Sequence, residues 1–581
     1  MKNEIKKALS LALAVLMCGS IVACTPETSG DIGGEDYLEE EVDPNRYQLE
    51  VSVYNGGYGT QWLGELKKRY EAAHKNDVYD GKTGVQVMIY PNKTKASGLV
   101  DNGLSEDVYF TEFAYYYDLL AKGALGDISD AVTGEKADLS VYNEGDAAGT
   151  TIKNKLTEQQ DDYYNVDGKY YGVPHYAGYS GIIYNKRLFE KNDWYFAKNQ
   201  GSTLQSRFIN TKDTKRPLNT EKSLGPDGLP STYDDGLPAT YQEFFWLCDW
   251  IDMASKTAVT VNGEAVESYV NALNNALAVD HNGLEQSLLN YTFDGTATNL
   301  VTIADNGTIV PDATTTPIYQ ENGYELTRQA GKAYALQFIQ QLLTTDEGAY
   351  MHDKFDEPSF FHKTAQEEFV FSEIEGEKAM LLDGIWWEAE ATQAFIDAEA
   401  ELGSQYSKMN SDFAFMPLPK ATAANAGGVT LYDNINSLIF MNKACESDKT
   451  KKDLAIDFIR YANTNKALVE FTQITGTPKA MTYSLTAPEK AALTPFAKSV
   501  LDMKELSTTK IVYPYATSKF FQTNQRMICE IFYSLVDGKT YVQPTSMFIN
   551  PDNPKTAKDV FDGMSSYRTG VWTQWLENIV D

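Results

Sequence analysis

Alternating apolar and polar positions near the start of the chain predict short β-strands. Apolar residues occupy every second position of 48–54, and the segments 85–90 and 107–110 are also rich in strand-forming residues. Between the first two segments, apolar residues recur at helical spacing over 63–73. The order strand–helix–strand predicts an α/β layered sheet, with a ligand near the carboxyl ends of its strands.

Further along the chain, the pattern predicts two more helices and two segments without regular periodicity. The helix at 241–253 is apolar, and the helix at 452–463 is amphipathic. The segments 195–240 and 256–330 are rich in Thr, Asn, Gly and Asp. We interpret these two segments as insertions on the surface of one part of the molecule.

Composition indicates a large folded protein without a nucleic-acid partner. The 581 residues are too many for one ordinary domain, and 43% hydrophobic residues can fill a large core. The formal net charge of −31 repels phosphate backbones, so we expect no nucleic-acid partner. The 37 Tyr, 26 Phe and 8 Trp exceed the needs of a core, and some are expected to line a binding surface.

The N-terminal pattern is typical of an exported, lipid-anchored protein. After a positively charged start, residues 9–23 carry no charge, but this run is shorter than the ~20 residues of a spanning helix. The run ends in Ile-Val-Ala-Cys, which resembles the lipobox of bacterial lipoproteins. That resemblance implies a signal peptide at 1–23 and a lipid on Cys24, which holds the protein at the extracellular face of the cell membrane. The acidic segment 24–45 is then expected to be a tether.

The remaining cysteines and histidines do not form a recognisable metal or disulfide pattern. Cys248, Cys445 and Cys529 are an odd number and widely spaced, and the chain contains no CxxC motif. Cys248 lies in an apolar helical pattern and is expected in the core. The five histidines show no ligand spacing, so we expect no metal and no cofactor.

An oxygen-rich loop at 225–236 has two interpretations. Its Asp, Ser and Thr residues supply the hard oxygens that Ca²⁺ prefers. Their spacing differs from that of an EF-hand, so a solvated acidic turn is the preferred interpretation and a calcium site is the alternative.

Seven short motifs follow one another along the chain: YYGVP at 170–174 with IYNKRLF at 183–189, PATYQEF at 238–244, GEKAM at 376–380 with GIW at 384–386, FAFMPLP at 413–419, NSLI at 436–439 with AIDFI at 455–459, GTP at 476–478, and DGKT at 537–540. In this order they resemble the extracellular solute-binding proteins of ABC importers, the carbohydrate-binding family 1 that includes maltose-binding protein. The resemblance covers about 46–581 except the two insertions. It departs from the family at Ile459, where a second Phe is usual. Within PATYQEF, Thr240 and Glu243 form a capping-box pattern.

The resemblance implies a two-lobed periplasmic-binding-protein fold of type II, with hinged lobes around a central ligand cleft. Lobe I is expected at 46–172 and 432–482, and lobe II at 183–416 and 490–581. Such a protein captures a carbohydrate, here expected to be an oligosaccharide, and delivers it to the transmembrane permease of an ABC transporter. The family implies no catalysis, and we expect a monomer.

Sugar binding requires flat aromatic rings for the C–H faces and planar polar groups for the rims of the pyranoses. In the family the Trp of the GIW motif often stacks on sugar, so Trp386 is the first candidate, and Gly384 is expected to permit a sharp turn toward the cleft. Trp387 is adjacent, and only one of the two is expected to face the cleft. The other candidates are Tyr54, Asn55, Tyr58, His175, Tyr176, Tyr179, Tyr432, Asp433, Phe521 and Gln522.

Two other functions stay open from the sequence. One is a surface lipoprotein glycosidase, because carboxylate pairs are so numerous in this chain that an acid–base pair is neither recognisable nor excluded. The other is a solute-binding protein for a peptide or a polyamine, since polyamine sites pair carboxylates with aromatic rings.

Overall fold

The computed structural model describes residues 40–212, 215–216, 218–344, 350–374, 376–425, 427–529, 534–536, 540–542 and 544–577. The predicted signal peptide, the predicted lipidation site Cys24 and most of the predicted tether lie outside the described residues.

The first sheet has five strands, in the spatial order Val85–Asn92, Tyr47–Tyr54, Val108–Thr111, Leu438–Met441 and Val173–Pro174. The first three strands are parallel, and the fourth runs antiparallel to both of its neighbours. In the strand Tyr47–Tyr54, the apolar side chains at alternate positions, Leu49, Val51 and Val53, are fully buried. The three strands expected near the N-terminus are therefore confirmed. We call this sheet and the helices around it the first lobe.

The second sheet has four strands, in the order Thr257–Thr260, Lys378–Gly384, Ser180–Asn185 and Phe413–Met416. The first two are parallel, and the other neighbouring pairs are antiparallel. Every residue of the two central strands is buried, as expected for strands covered on both faces. We call this sheet and its surrounding helices the second lobe.

The chain passes between the two sheets at several places. Segment 175–179 joins a strand of the first sheet to one of the second, and segment 417–437 returns. After the helix Asn465–Thr475, a further segment leads to the helix Pro495–Glu505, which packs on the second sheet. Tyr176 and Lys479 form a backbone bridge between two of these crossing segments.

Helices surround both sheets. The α-helices are Gln61–Ala73, Ala96–Asn102, Tyr116–Ala121, Ser129–Val132, Ile152–Lys155, Glu158–Tyr164, Lys186–Asn192, Tyr241–Asp252, Val266–Thr292, Ala330–Leu343, His362–Val370, Trp387–Glu390, Thr392–Leu402, Lys449–Ala462, Asn465–Thr475, Ala487–Ala491, Pro495–Glu505, Lys519–Cys529, Pro544–Phe548 and Ala557–Glu577. Of the helices in the described residues, none combines the length and the apolarity needed to cross a membrane.

Short elements complete the chain. The 3₁₀ helices are Glu135–Ala137, Leu139–Tyr142, Leu204–Arg207, Gln320–Arg328, Ser404–Tyr406, Ala423–Asn425 and Lys443–Ser447. The two-stranded pairs are Val78–Tyr79 with Lys82–Thr83, Asn165–Val166 with Lys169–Tyr170, Gly295–Ala297 with Thr316–Ile318, Val301–Ile303 with Ile309–Pro311, Thr430–Tyr432 with Lys510–Val512, and Ser534–Val536 with Thr540–Val542.

The capping box predicted at the start of the helix Tyr241–Asp252 is present. Thr240 Oγ1 accepts a hydrogen bond of 3.2 Å from Glu243 N, and Glu243 Oε2 accepts one of 3.3 Å from Thr240 N. These bonds satisfy two amide groups that a helix N-terminus leaves without partners. The same helix buries Cys248 completely, which confirms its predicted place in the core.

The interpretation of 256–330 as a surface insertion requires correction. Its first residues form the strand Thr257–Thr260 of the second sheet. The helix Val266–Thr292 then packs against Ala330–Leu343 and Thr430–Tyr432. The polar composition of the segment was misleading because polar residues such as Asn274 are themselves buried in this packing.

Candidate ligand-binding cleft

A cavity of about 650 Å³ lies between the two lobes, within the range of about 300–1,000 Å³ that is usual for ligand pockets. Both lobes contribute side chains to its wall. The first lobe and the crossing segments contribute Tyr54, Asn55, Gly56, Gly57, Tyr58, Lys93, Glu112, Phe113, Tyr176 and Ile435. The second lobe contributes Glu264, Tyr269, Phe361, His362, Lys363, Thr364, Trp386 and Glu390.

The loop after the strand Tyr47–Tyr54 contacts the second lobe directly. A Cβ atom on Gly57 would lie 2.5 Å from Glu390 Oε1 and 2.7 Å from Trp386 Cδ1. Real Cβ atoms essentially never make contacts this short. The absence of a side chain at Gly57 is therefore what lets the two lobes meet at this point.

Trp386 lies at the rim of the second lobe, immediately after the strand Lys378–Gly384, and its side chain is half-buried. A Cβ atom on Gly384 would overlap the indole ring of Trp386. Gly384 does not have a positive φ, so its role is to leave room for the indole and not to permit a sharp turn. This corrects the predicted reason for the glycine.

A buried carboxyl of the first lobe faces the aromatic wall. Tyr176 Oη donates a hydrogen bond of 2.6 Å to Glu112 Oε1, and the rings of Tyr58 and Tyr176 meet edge to face at 4.7 Å. Burial raises the pKa of Glu112 to about 7, although Tyr176, Tyr58 and Lys95 act in the opposite direction. Burial and the charge of Glu112 together raise the pKa of Tyr54 to about 12.

Two carboxyls of the second lobe share one amide. Gln366 Nε2 donates to Asp383 Oδ2 at 3.1 Å and to Glu390 Oε2 at 2.8 Å. Gly384 N donates a further bond of 2.7 Å to Asp383 Oδ1. Burial raises the pKa of both carboxyls above the usual range, and the charge of Asp383 raises that of Glu390 further.

Comparison with solved structures relates this arrangement to a known architecture. A structure from work on xylan utilization by the thermophilic bacterium Caldanaerobius polysaccharolyticus is similar with a TM-score of 0.53 and 11% identity, over 90% of this chain and 99% of that one. A chitin oligosaccharide binding protein is similar with a TM-score of 0.50 and 14% identity, over 91% of this chain and all of that one. No protein-family model matches the chain, and no curated protein matches it.

The chain has the two-lobed periplasmic-binding-protein fold. Two similar structures, each covered almost over its whole length, share its mixed α/β architecture. The predicted fold class is confirmed. At these low identities the similarity concerns the fold alone.

Five of the predicted site residues line the cavity between the lobes, namely Tyr54, Asn55, Tyr58, Tyr176 and Trp386. They come from the loop after the first strand, from a crossing segment and from the rim of the second lobe. The sequence predicted that all three regions lie near the ligand, and in the structure all three lie around one cavity.

Trp387 does not line the cavity, which corrects its place among the ligand-binding candidates. Its side chain is fully buried and packs against Phe369, Phe413 and Phe496. Trp386 is the N-cap residue of the helix Trp387–Glu390 and Trp387 is its first residue, and the two side chains point to different surroundings.

His175 and Tyr179 lie beneath the cavity and not on its wall. His175 is fully buried, and its Nδ1 lies 2.7 Å from Lys479 Nζ. Its ring packs against Trp62, which is itself a core residue. Tyr179 is buried in the core of the second lobe. Both candidates are corrected to packing residues of the crossing segment.

Tyr432 and Asp433 are buried on the returning crossing segment, away from the cavity. Asp433 Oδ1 accepts a hydrogen bond of 3.2 Å from Ile435 N and one of 3.4 Å from Gly178 N. It therefore ties one crossing segment to the other, and burial raises its pKa to about 7. This corrects the predicted contact of the pair with ligand.

Phe521 and Gln522 lie on the helix Lys519–Cys529, which packs against the first lobe at the helix Tyr116–Ala121. Phe521 is fully buried, and its ring meets that of Tyr117 edge to face. Neither residue lines the cavity, which corrects the prediction that they contact the ligand. The helix that carries them joins the two lobes through its contact with the helix Tyr116–Ala121.

The predicted acidic turn at 225–236 is only partly solvated, because Pro230 and Ser231 are exposed while two of its Asp residues are buried. Asp227 and Asp234 are buried, and their carboxylates accept hydrogen bonds from the loop itself, including Leu229 N to Asp227 Oδ1 at 2.7 Å. Thr232 Oγ1 likewise donates to Asp234 Oδ1 at 2.7 Å. In the described part of the chain, no group of three or more His, Cys, Asp or Glu residues could hold a metal ion.

Sequence reasoning missed the carboxyls of the cavity and Tyr269. Glu112 follows the strand Val108–Thr111, so the rule that ligands bind at the carboxyl ends of parallel strands could have identified it. Glu390 lies one helical turn after Trp386 and could have been found from that spacing. Tyr269 carried no signal because its segment was interpreted as an insertion.

Proposed function

We propose that this protein is an extracellular solute-binding protein that captures a carbohydrate between its lobes and delivers it to the permease of an ABC transporter. The observation that carries the proposal is the cavity of about 650 Å³ lined from both lobes by aromatic rings interspersed with hydrogen-bonding groups. Its size suits a short oligosaccharide. The protein performs no catalysis in this function.

The wall of the cavity fits the two faces of a sugar. Aromatic rings such as Trp386, Phe361 and Tyr269 offer flat surfaces for the apolar C–H faces of pyranose rings. Asn55 and Glu112 offer polar groups for the hydroxyl rims. The shared fold with a chitin oligosaccharide binding protein supports this choice of ligand class.

Binding between two lobes also gives a physical basis for transport. A ligand that contacts both lobes stabilises the closed state by the free energy of the contacts that the open state lacks. A permease that recognises the closed form then receives loaded protein in preference to empty protein. We place the protein on the extracellular face of the cell membrane, held as a monomer by a lipid on Cys24 and the tether 24–45.

A ligand screen tests the proposal. Thermal unfolding is followed with and without xylo-, chito- and malto-oligosaccharides, and positive results are quantified by calorimetry. A ligand present at 100 times its dissociation constant should stabilise the native state by about 2.7 kcal/mol and raise the melting temperature. Analysis of each mixture after incubation should recover the oligosaccharide intact.

Three outcomes would contradict the proposal. Shortened oligosaccharides would indicate a glycosidase. Stabilisation by peptides alone would indicate a different solute class, and the absence of stabilisation by every oligosaccharide would remove the carbohydrate assignment.

A further inference from the structure

Two carboxyls from opposite lobes, Glu112 and Glu390, line the cavity, and the buried carboxyl of Asp383 lies beside Glu390. Glu112 comes from the first lobe, and Asp383 and Glu390 come from the second. A Cβ atom on Gly56 would lie 3.2 Å from Glu112 Oε1, while one on the adjacent Gly57 would lie 2.5 Å from Glu390 Oε1. The two glutamates therefore face the same short loop from opposite lobes.

Hydrogen-bond acceptors outnumber donors around the second-lobe pair. The amide nitrogen of Gln366 donates to both Asp383 and Glu390. Gln366 is 1% exposed, so its Oε1 is shielded from water. This oxygen has no hydrogen-bond partner within the described part of the chain. A buried acceptor without a partner has lost its hydrogen bond to water without replacement, so this cluster favours a ligand that brings donors.

Basic side chains also lie on the cavity wall. Lys93 and His362 line the cavity, and their charges lower the pKa of Glu390 and Asp383 respectively. His362 also lies 3.3 Å from Glu264. Lys363 lies on the wall as well. Burial opposes these charges and keeps the pKa of both carboxyls above the usual range.

We propose that the ligand of this cavity carries a protonated primary amine, which Glu390 binds on the cavity wall beside the rings of Trp386 and Tyr269, with Asp383 and Gln366 as the buried polar groups that support Glu390 from behind. An ammonium group has three donors and one positive charge, which match a cluster of buried acceptors. Aromatic faces close to a cation add attraction through their quadrupoles. This inference rests on the proposed function and narrows its ligand to an amino sugar; a linear polyamine shares the same chemistry.

A consequence of the arrangement is that binding of an amine releases protons. In the free protein, Glu390 holds a proton near neutral pH because burial and the charge of Asp383 raise its pKa. When an ammonium group binds, the carboxyl ionises to pair with it, and the proton that it held passes to the buffer. A neutral saccharide leaves this proton in place.

Calorimetry with matched disaccharides tests the inference without any variant. The probes are the β-1,4-linked glucosamine disaccharide, its N-acetylated form and cellobiose, each titrated at pH 6.5 in two buffers of different ionisation enthalpy. Spermidine is titrated in parallel as the linear amine. We expect the amino disaccharide to bind at least about 10-fold more tightly than cellobiose and to release protons.

Isosteric variants then locate the site. Glu390→Gln and Asp383→Asn should each abolish the preference for the amino disaccharide over cellobiose. Glu401→Gln, an exposed change on the helix Thr392–Leu402, is the matched control and should preserve the preference. Circular dichroism verifies the fold of each variant.

The outcomes separate this inference from the proposed function. Equal or tighter binding of cellobiose than of the amino disaccharide overturns the inference and leaves carbohydrate capture intact. Binding of spermidine alone supports the amine site but overturns the carbohydrate assignment. No binding by any of the four probes overturns the amine site, and the wider oligosaccharide screen then decides the proposed function separately.

Discussion

Trp386 and Trp387 are neighbours in the chain, but the packing around them differs completely. Trp386 is half-buried beside the cavity and touches the loop of the other lobe at Gly57. Trp387 is fully buried among phenylalanine rings of the second lobe. At the scale of single residues, the pair offers a comparison between a binding role and a core role.

The first prediction uses this pair. Trp386→Ala should cost about 2–4 kcal/mol of binding free energy, or roughly 30- to 1,000-fold in dissociation constant, because a large aromatic contact is lost. Trp387→Ala should instead lower the free energy of unfolding by about 3–5 kcal/mol, since it leaves a cavity in the core. Calorimetry and chemical denaturation on both variants measure the two effects. If Trp386→Ala lowers the free energy of unfolding while the molecules that remain folded bind ligand with unchanged affinity, Trp386 is a core residue and not a binding residue.

The second prediction concerns the buried Glu112. Its pKa is about 7 in the folded protein, against about 4.3 in an unfolded chain. The folded state therefore binds the proton of Glu112 more strongly than the unfolded state does. This difference adds to the free energy of unfolding below pH 4, and the contribution is lost as the pH rises through 7. Glu112→Gln removes this dependence, so the stability of the variant relative to wild type should rise by on the order of 3 kcal/mol from pH 4 to pH 8.

Denaturation curves across that pH range test this dependence. Glu135→Gln, an exposed change in the first lobe, is the control and should follow wild type. A constant difference between Glu112→Gln and wild type at all pH values would mean that the pKa of Glu112 is the same in the folded and unfolded states.

At the scale of elements, the loop 55–59 decides how closely the lobes approach. It follows the strand Tyr47–Tyr54 and precedes the helix Gln61–Ala73. The hydrogen bond of 2.7 Å from Asn55 N to Asn92 O holds its start against the neighbouring strand. The loop is therefore placed by the first sheet, while its glycines meet the side chains of the second lobe.

The third prediction is that Gly57→Ala weakens ligand binding without unfolding the protein. The φ of Gly57 is not positive, so alanine fits the backbone, but its Cβ would collide with Glu390 and Trp386 in the closed state. Such overpacking costs about 1–3 kcal/mol, which corresponds to roughly 5- to 150-fold in affinity. Gly428→Ala, where a Cβ meets nothing within 4 Å, is the matched control. Equal affinities of the two variants would contradict the contact between the lobes.

At the scale of the whole molecule, the lobes are joined more firmly on one side than on the other. Gln525 of the helix Lys519–Cys529 accepts a hydrogen bond of 3.1 Å from Tyr117 N and donates one of 2.5 Å to Tyr163 Oη. The ring of Tyr163 stacks on that of Tyr515 at 4.0 Å. On the side of Trp386, by contrast, the lobes meet at a short loop. We therefore expect the cleft to open on the side of Trp386.

The fourth prediction is that ligand reduces the overall size of the protein. Small-angle scattering should give a smaller radius of gyration with a saturating ligand than without it, because the bound ligand holds the lobes together. A saccharide that gives no thermal shift, at the same concentration, is the control. An unchanged radius at saturation would argue against a closing cleft.

The fifth prediction concerns the N-terminus, which lies outside the described residues. Cys24→Ala should release the protein from membranes into the soluble fraction, because the expected lipid on this cysteine is its anchor. Cys529→Ala should leave the protein membrane-bound. Fractionation of cells followed by immunodetection measures both. Retention of Cys24→Ala on membranes would place the anchor elsewhere.

The sequence by itself determined the local features of this protein. Period-2 alternation predicted the strand Tyr47–Tyr54, and the residues Thr240 and Glu243 predicted a capped helix, since each pattern depends on neighbours within one strand or one helical turn. The order of the motifs also predicted the two-lobed fold. Composition failed for 256–330, where polar residues are buried by partners that lie far away in the chain.

Only the tertiary structure decided which side chains form the site. Nothing local distinguishes Trp386 from Trp387, and their environments follow from how a strand end meets a helix start in the packed lobe. Glu112 and Glu390 come together only because two lobes, built from separate stretches of chain, close over one loop. Their burial and raised pKa values are properties of that closure, because the cost of desolvating a charge depends on what surrounds it in space.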